Sequence, residues 1–177
     1  MIGIPFVVRI APVDERLRLG EDPDGYLERV ARAKLEAVRE VSDPLASGGV
    51  LAADTIVVAP DGAILGKPTH DDEAAAMIER LSGATHEVKT RFLLARAARG
   101  APVDHAQTVT TRVTLRALAS GEAAEYARTG EGRDKAGAYA VQGRAASFIE
   151  RLEGSYTSVV GLPLCEVVVA MRLLGWW

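Results

Sequence analysis

One cysteine, Cys165, and three histidines, His70, His86 and His105, are all that this chain of 177 residues has of those residue types. A single cysteine excludes an internal disulfide, which suits a reducing cytoplasm. The histidines lie far apart with no cysteine near them, so a zinc centre is not expected and each reads as a surface or strand histidine. Cys165, beside Leu164 and Val167 in an apolar helical pattern, reads as core packing rather than as a nucleophile. Basic runs are missing too: 21 Lys and Arg against 24 Asp and Glu are scattered along the chain, leaving a net charge of -3. Without that electrostatic footprint, nucleic acid is not an expected partner. The longest apolar stretch, residues 162–170, is broken by Pro163 and Glu166 and is too short to span a bilayer. The first residues lack the basic-then-apolar order of a signal peptide. No Gly-x-Gly-x-x-Gly occurs, and Gly62-Ala63-Ile64-Leu65-Gly66-Lys67-Pro68 is not a P-loop, being one residue short with Pro68 where Ser or Thr would hold magnesium. Repeats, low-complexity tracts and linkers are also lacking, so residues 1–177 read as a single domain.

What is present is patterned. At 48% hydrophobic the chain can bury one sizeable core. Residues 4–9 are β-branched and aromatic and read as a strand, followed by Asp14-Glu15 in a loop. Asp22-Pro23 starts a helix whose apolar stripe runs through Tyr26, Leu27, Val30, Ala33, Ala37, Val38 and Val41. Residues 50–59 read as a strand interrupted by Asp54, with Asp61-Gly62 turning the chain into residues 63–65. A second helix spans 71–81, closed by Gly83. Residues 86–98 and 107–118 read as antiparallel neighbours, Ser120 as the cap of a third helix ended by Gly130, 146–152 as a strand and 162–174 as the last helix. Helices mixed with hairpins predict an α/β fold with a mixed sheet rather than a purely parallel one.

Three runs carry opposite charge where apolar segments give way to loops: Ala53-Asp54-Thr55, Gly66-Lys67-Pro68 and Asp134-Lys135-Ala136-Gly137-Ala138-Tyr139. Such places build sites for a charged small molecule and its metal. A carboxylate inside an apolar strand must be satisfied, so Asp54 is either a structural aspartate bonded to a neighbouring loop or helix, or a general base or Mg²⁺ ligand at the mouth of a cleft. Lys67 and Lys135, each taken alone, read as solvated loop lysines, with Lys67 also a candidate phosphate contact. Lys34 lies within its helix's apolar stripe, between Val30 and Val38, and therefore turns inward toward an anion or snorkels past the core edge. Glu36 and Glu40 read as ordinary solvated charges.

Taken together, Leu51-Ala52-Ala53-Asp54-Thr55, Gly66-Lys67-Pro68, Leu81-Ser82-Gly83 with Thr85-His86-Glu87-Val88, the Asp134–Tyr139 run with Gln142-Gly143, and Glu153-Gly154-Ser155-Tyr156 with the Val159–Leu164 run resemble the Maf family of nucleoside triphosphate pyrophosphatases. The likeness runs in order over essentially the whole chain. It implies an inosine-triphosphatase-like α/β fold, an elongated mixed sheet flanked by helices, with two lobes and a central cleft. It implies hydrolysis of a nucleoside triphosphate to the monophosphate and pyrophosphate, dependent on Mg²⁺ or Mn²⁺, in a cytoplasmic and often dimeric protein. Within the family, the residues at Thr55 and Lys135 resemble the branch acting on dTTP and UTP rather than 7-methyl-GTP. Carried over residue by residue, Asp54 is the proton acceptor, Lys67 and Lys34 lie on the phosphate side, Glu15 is the loop carboxylate near the metal with Asp54, Gln142 belongs to the base-binding side, and Thr55 and Lys135 are substrate-binding residues.

The chain departs from the family pattern in one respect. Members carry a strand and a Ser-x-Ser-Pro-Arg-Arg loop before the segment that here reads Gly3-Ile4-Pro5-Phe6, whereas this sequence starts at Met1, and Ser42-Asp43-Pro44 is the only nearby echo. That loop would supply hydroxyls, helix-terminal amides and two arginines to the triphosphate. The alternative expectation is therefore a catalytically impaired nucleotide-binding or cell-division regulatory protein.

Overall fold

The computed structural model describes residues 3–10, 12–41 and 48–177; Ser42-Asp43-Pro44 and Met1 fall outside them. Five strands form one sheet in the order β2-β1-β3-β4-β5, with β1 Val50–Val58, β2 Ile64–Leu65, β3 Thr85–Ala95, β4 Val103–Leu115 and β5 Ile149–Glu153. The helices are α1 Pro23–Val41, α2 Asp71–Leu81, α3 Glu122–Arg128, α4 Tyr156–Val160 and α5 Leu164–Leu173. The α/β class holds, but each ladder is antiparallel, so the expected mixed sheet is corrected. The reason lies in the crossover through α2. Strands β2 and β3 do run parallel, yet β1 stands between them, so among the described residues no parallel pair is hydrogen-bonded.

Strand alternation divides the core into two layers. On one face, Ala52, Ile56 and Leu93 pack beneath Leu27, Val30, Ala31 and Leu35 of α1. The predicted stripe is right at Tyr26, Leu27 and Val30 and is corrected beyond them: Ala31 and Leu35 carry the buried side on, Ala33, Ala37 and Val38 lie at its edge and Val41 is 67% exposed. Asp22 starts the helix by accepting from the Gly25 amide at 2.7 Å. Its far end is anchored by Arg39, 2% exposed, whose guanidinium donates to the carbonyls of Arg96 at 3.0 Å and Pro102 at 3.3 Å. On the opposite face, Val57, Val88 and Val113 pack with Ile78 and Leu81 of α2 and Tyr126 of α3. Farther along that face, Phe92 and Val109 pack with Val167 and Ala170 of α5.

Several local expectations are corrected. Residues 4–9 form no strand: Phe6, Val7 and Val8 are 73% to 77% exposed, and a β-branched run without a partner strand has no ladder to join. Ser120 does not cap α3. Gly121 holds that position in a left-handed conformation, and the Glu122 carboxylate takes the Ala119 amide at 2.9 Å instead. Residues Arg144–Phe148 make a 3₁₀ turn before β5, which delays the expected strand. Cys165 is exposed rather than packed, because Val167 and Ala170 define the buried side of α5 and residue 165 lies across from it.

Candidate active site

Neighbouring residues of a strand point to opposite faces, so β1 sends Asp54 toward α1 and Thr55 toward α4. Two cavities meet there. One, of about 530 Å³, is walled by Glu15, Tyr26 and Ile64; the other, of about 210 Å³, by Lys135, Tyr139 and Gln142. Asp54, Thr55, Lys67 and Ala136 line both.

Glu15, Asp54 and Lys67 of the larger cavity's lining belong to a chain of ion pairs that Lys34 of α1 completes. Lys34 Nζ lies 2.6 Å from Asp54 Oδ1 and 2.7 Å from Glu15 Oε1, and Lys67 Nζ lies 3.4 Å from Glu15 Oε2. The inward lysine of the α1 stripe thus finds its anions. Glu15 is held by the backbone around it: Tyr26 Oη donates to its own carbonyl at 2.9 Å, and Arg29 donates to the carbonyls of Asp14 and Arg16, each at 3.0 Å. Burial raises the Asp54 carboxyl above its ordinary range although Lys34 pulls the other way. The Lys34 hydrogen bond lowers Glu15, while Lys34 itself, which burial alone would lower, is raised by its two carboxylates. Among the described residues no group of three or more His, Cys, Asp or Glu is arranged to hold a metal ion. Two hard carboxylates facing one cation position are the donor set that suits Mg²⁺, which takes one or two carboxylates and completes its shell with water and substrate phosphate.

The smaller cavity is framed by backbone. The Gly137 amide donates to the Gly66 carbonyl at 3.0 Å, stitching the loop that carries Lys67 to the turn that follows Lys135. Gly137 adopts φ 71°, and a Cβ there would press on Val57 of β1, so the approach needs glycine. Ala138 follows at φ 63°, an unusual conformation for a residue with a Cβ, fully buried where the wall is formed. Lys135 Nζ pairs with Asp134 at 2.7 Å, and Gln142 is exposed at the rim. Thr55 Oγ1 shares a hydrogen bond with Thr90 Oγ1 at 2.9 Å, and Thr90 donates to the Ser158 carbonyl at 2.8 Å, so α4 is tied to the strand bearing Asp54.

Sequence reasoning missed the support behind Tyr139. His86 is 2% exposed and its Nε2 lies 2.8 Å from Tyr139 Oη. Its Nδ1 has no hydrogen-bond partner among the described residues, and burial lowers its pKa to about 4. The alternation of β3, which puts residue 86 on the same face as Val88, was the available signal. Because the folded pKa lies below the unfolded value of 6.5, the unfolded chain binds the extra proton between those values. Stability from this group is fully present above pH 6.5 and is lost as pH falls toward 4. At pH 5 the loss is about 2 kcal/mol. Melting curves from pH 7 to 5 for wild type and His86→Gln should therefore converge as pH falls; parallel curves would show that His86 does not carry the effect.

The pattern describing the Maf-like protein family matches residues 1–174. A Hahella chejuensis protein named dTTP/UTP pyrophosphatase is 48% identical over 174 residues, covering 98% of this chain and 84% of the relative. Proteins of the same name from Geotalea uraniireducens and Myxococcus xanthus are 46% and 44% identical, each over 98% of this chain and over 86% and 84% of their own lengths. No helix among the described residues is long and apolar enough to cross a membrane. A match spanning nearly the whole chain, with Asp54, Lys67 and Lys135 gathered around joined cavities, places the chain in the Maf family.

Proposed function

We propose that the protein hydrolyses nucleoside triphosphates, dTTP and UTP foremost, to the monophosphate and pyrophosphate. The observation that carries this reading is Asp54, a largely buried carboxylate with its pKa raised by burial, placed where the two cavities join and flanked by lysines. A raised pKa brings a carboxylate closer to the pH at which a general base works best. In this reading Asp54 takes the proton of the attacking water as the bond between the α- and β-phosphates breaks. Lys34 and Lys67 neutralise charge that gathers on the phosphate oxygens. Glu15 and Asp54 would hold the divalent cation, Mg²⁺ or Mn²⁺, which when bound supplies further charge neutralisation and a fixed orientation for the phosphates. Thr55, pinned by Thr90, shapes the passage between the cavities, and Lys135 and Gln142 take the nucleoside side.

Pyrophosphate release from a panel of eight common nucleoside and deoxynucleoside triphosphates, with Mg²⁺ and with Mn²⁺, tests the reading. The expected outcome is turnover with dTTP and UTP ahead of the purine nucleotides, and release of orthophosphate alone would overturn it.

A further inference from the structure

Lys34 holds an unusual position for a phosphate ligand, because its ammonium already bridges the two carboxylates that would hold the metal. Its Nζ is 2.6 Å from Asp54 Oδ1 and 2.7 Å from Glu15 Oε1. The remaining Glu15 oxygen faces Lys67 Nζ at 3.4 Å. Two carboxylates that line the larger cavity are thus matched by two ammonium groups, Lys67 from its lining and Lys34 reaching them from α1. A divalent cation arriving alone must displace Lys34 from both oxygens and leave its charge beside the new one, with no anion to receive it. A cation arriving on a triphosphate brings that anion: the carboxylates pass to the metal while Lys34 and Lys67 pass to the phosphates, and each charge keeps a partner.

Resting on the function proposed above, we propose that Lys34 is a built-in counter-ion that makes the metal–nucleotide complex, rather than metal and nucleotide separately, the form this site accepts. Lys34 is well placed for such an exchange. Its side chain is one quarter exposed, and it rises from the middle of α1, whose backbone is fixed on the sheet by Leu27, Val30, Ala31 and Leu35, so the ammonium changes partner by side-chain motion alone. Glu15 is likewise held at its backbone by Arg29 and Tyr26 and leaves only its carboxylate to turn. A site occupied by its own ammonium nine-tenths of the time binds an outside cation about tenfold more weakly than the open site would.

Counting free Mn²⁺ by electron paramagnetic resonance, with the Mn²⁺ that the nucleotide analogue takes up in protein-free samples subtracted, reads this without turnover. Wild-type protein should bind Mn²⁺ alone weakly, and dTTP carrying an imido group in place of the α,β-bridging oxygen should tighten Mn²⁺ binding by roughly tenfold or more. Lys34→Met should bind Mn²⁺ alone about tenfold more tightly than wild type, and the gain from the analogue should shrink. Unchanged or weaker Mn²⁺ binding by a folded Lys34→Met would overturn the proposal. Should that variant not fold, wild type alone decides: Mn²⁺ bound equally well with and without the analogue rules out the exchange. Pyrophosphate release measured in parallel separates the two ideas. Turnover with no effect of Lys34 on Mn²⁺ binding leaves the function and removes the counter-ion. The predicted Mn²⁺ behaviour without turnover keeps the counter-ion and removes the hydrolysis.

Discussion

Asp54→Asn lowers kcat for dTTP by about a hundredfold or more, the scale of general-base catalysis, while nucleotide affinity falls much less. Asparagine preserves the shape at the meeting point of the cavities but cannot take a proton from water. The surroundings tolerate the change, because Lys34 keeps Glu15 at 2.7 Å when its other carboxylate is neutralised. The pH dependence has a definite sign. A base must be ionised, so kcat/KM of the wild type falls as pH drops through the Asp54 pKa, which burial holds above the ordinary carboxylate value. Residual Asn turnover should lose that limb. Steady-state rates with direct nucleotide binding measure both parts, and near-wild-type turnover would remove Asp54 from the mechanism.

Gly132→Ala should be the most destabilising single methyl added to this chain. A Cβ at Gly132 would overlap the carbonyl of Ala138 and crowd the Tyr139 amide, and these are backbone atoms that cannot rotate aside. They belong to the wall that carries Tyr139, itself bonded to His86. Overpacking against fixed backbone costs about 3 kcal/mol or more, which for a chain of this size is a fall in Tm of roughly 6–12 °C. Gly48→Ala is the matched control, since its Cβ would meet open space, and it should move Tm little. Thermal melts of the pair test the expectation, and equal melting points would contradict the tight approach of the two segments.

The parts of this molecule legible in its sequence are those where one residue contradicts its own neighbourhood. Asp54 in an apolar strand and Lys34 in an apolar stripe both announce a partner, and the partner of each proves to be the other. Helices α1 and α2 were legible because Asp22-Pro23 and Gly83 mark ends that local chemistry alone decides. What stayed hidden depends on distant contacts. His86 and Tyr139 are 53 residues apart, and neither betrays the other until β3 and the 136–139 turn pack together. Residues 4–9 show the reverse error, since their composition suits a strand but a strand exists only beside another. Cys165 was misplaced because an apolar neighbourhood along the chain says little about which side of a short helix is covered.

Strand β1 pairs with β3 along all nine residues but with β2 only at Val57 and Val58. Among the described residues, 50–56 therefore offer a row of backbone donors and acceptors with no strand alongside, and Leu51 there is 40% exposed. Open rows of that kind recruit other chains and seed aggregation, and proteins blunt them with inward-facing charge. Asp54 is such a charge, set at the middle of the row, and an antiparallel copy of β1 would bring two of these carboxylates toward each other across the new seam. The charge proposed above as the base thus also stands where the sheet would otherwise extend by self-recognition, and Asp54→Asn would remove it from both places at once.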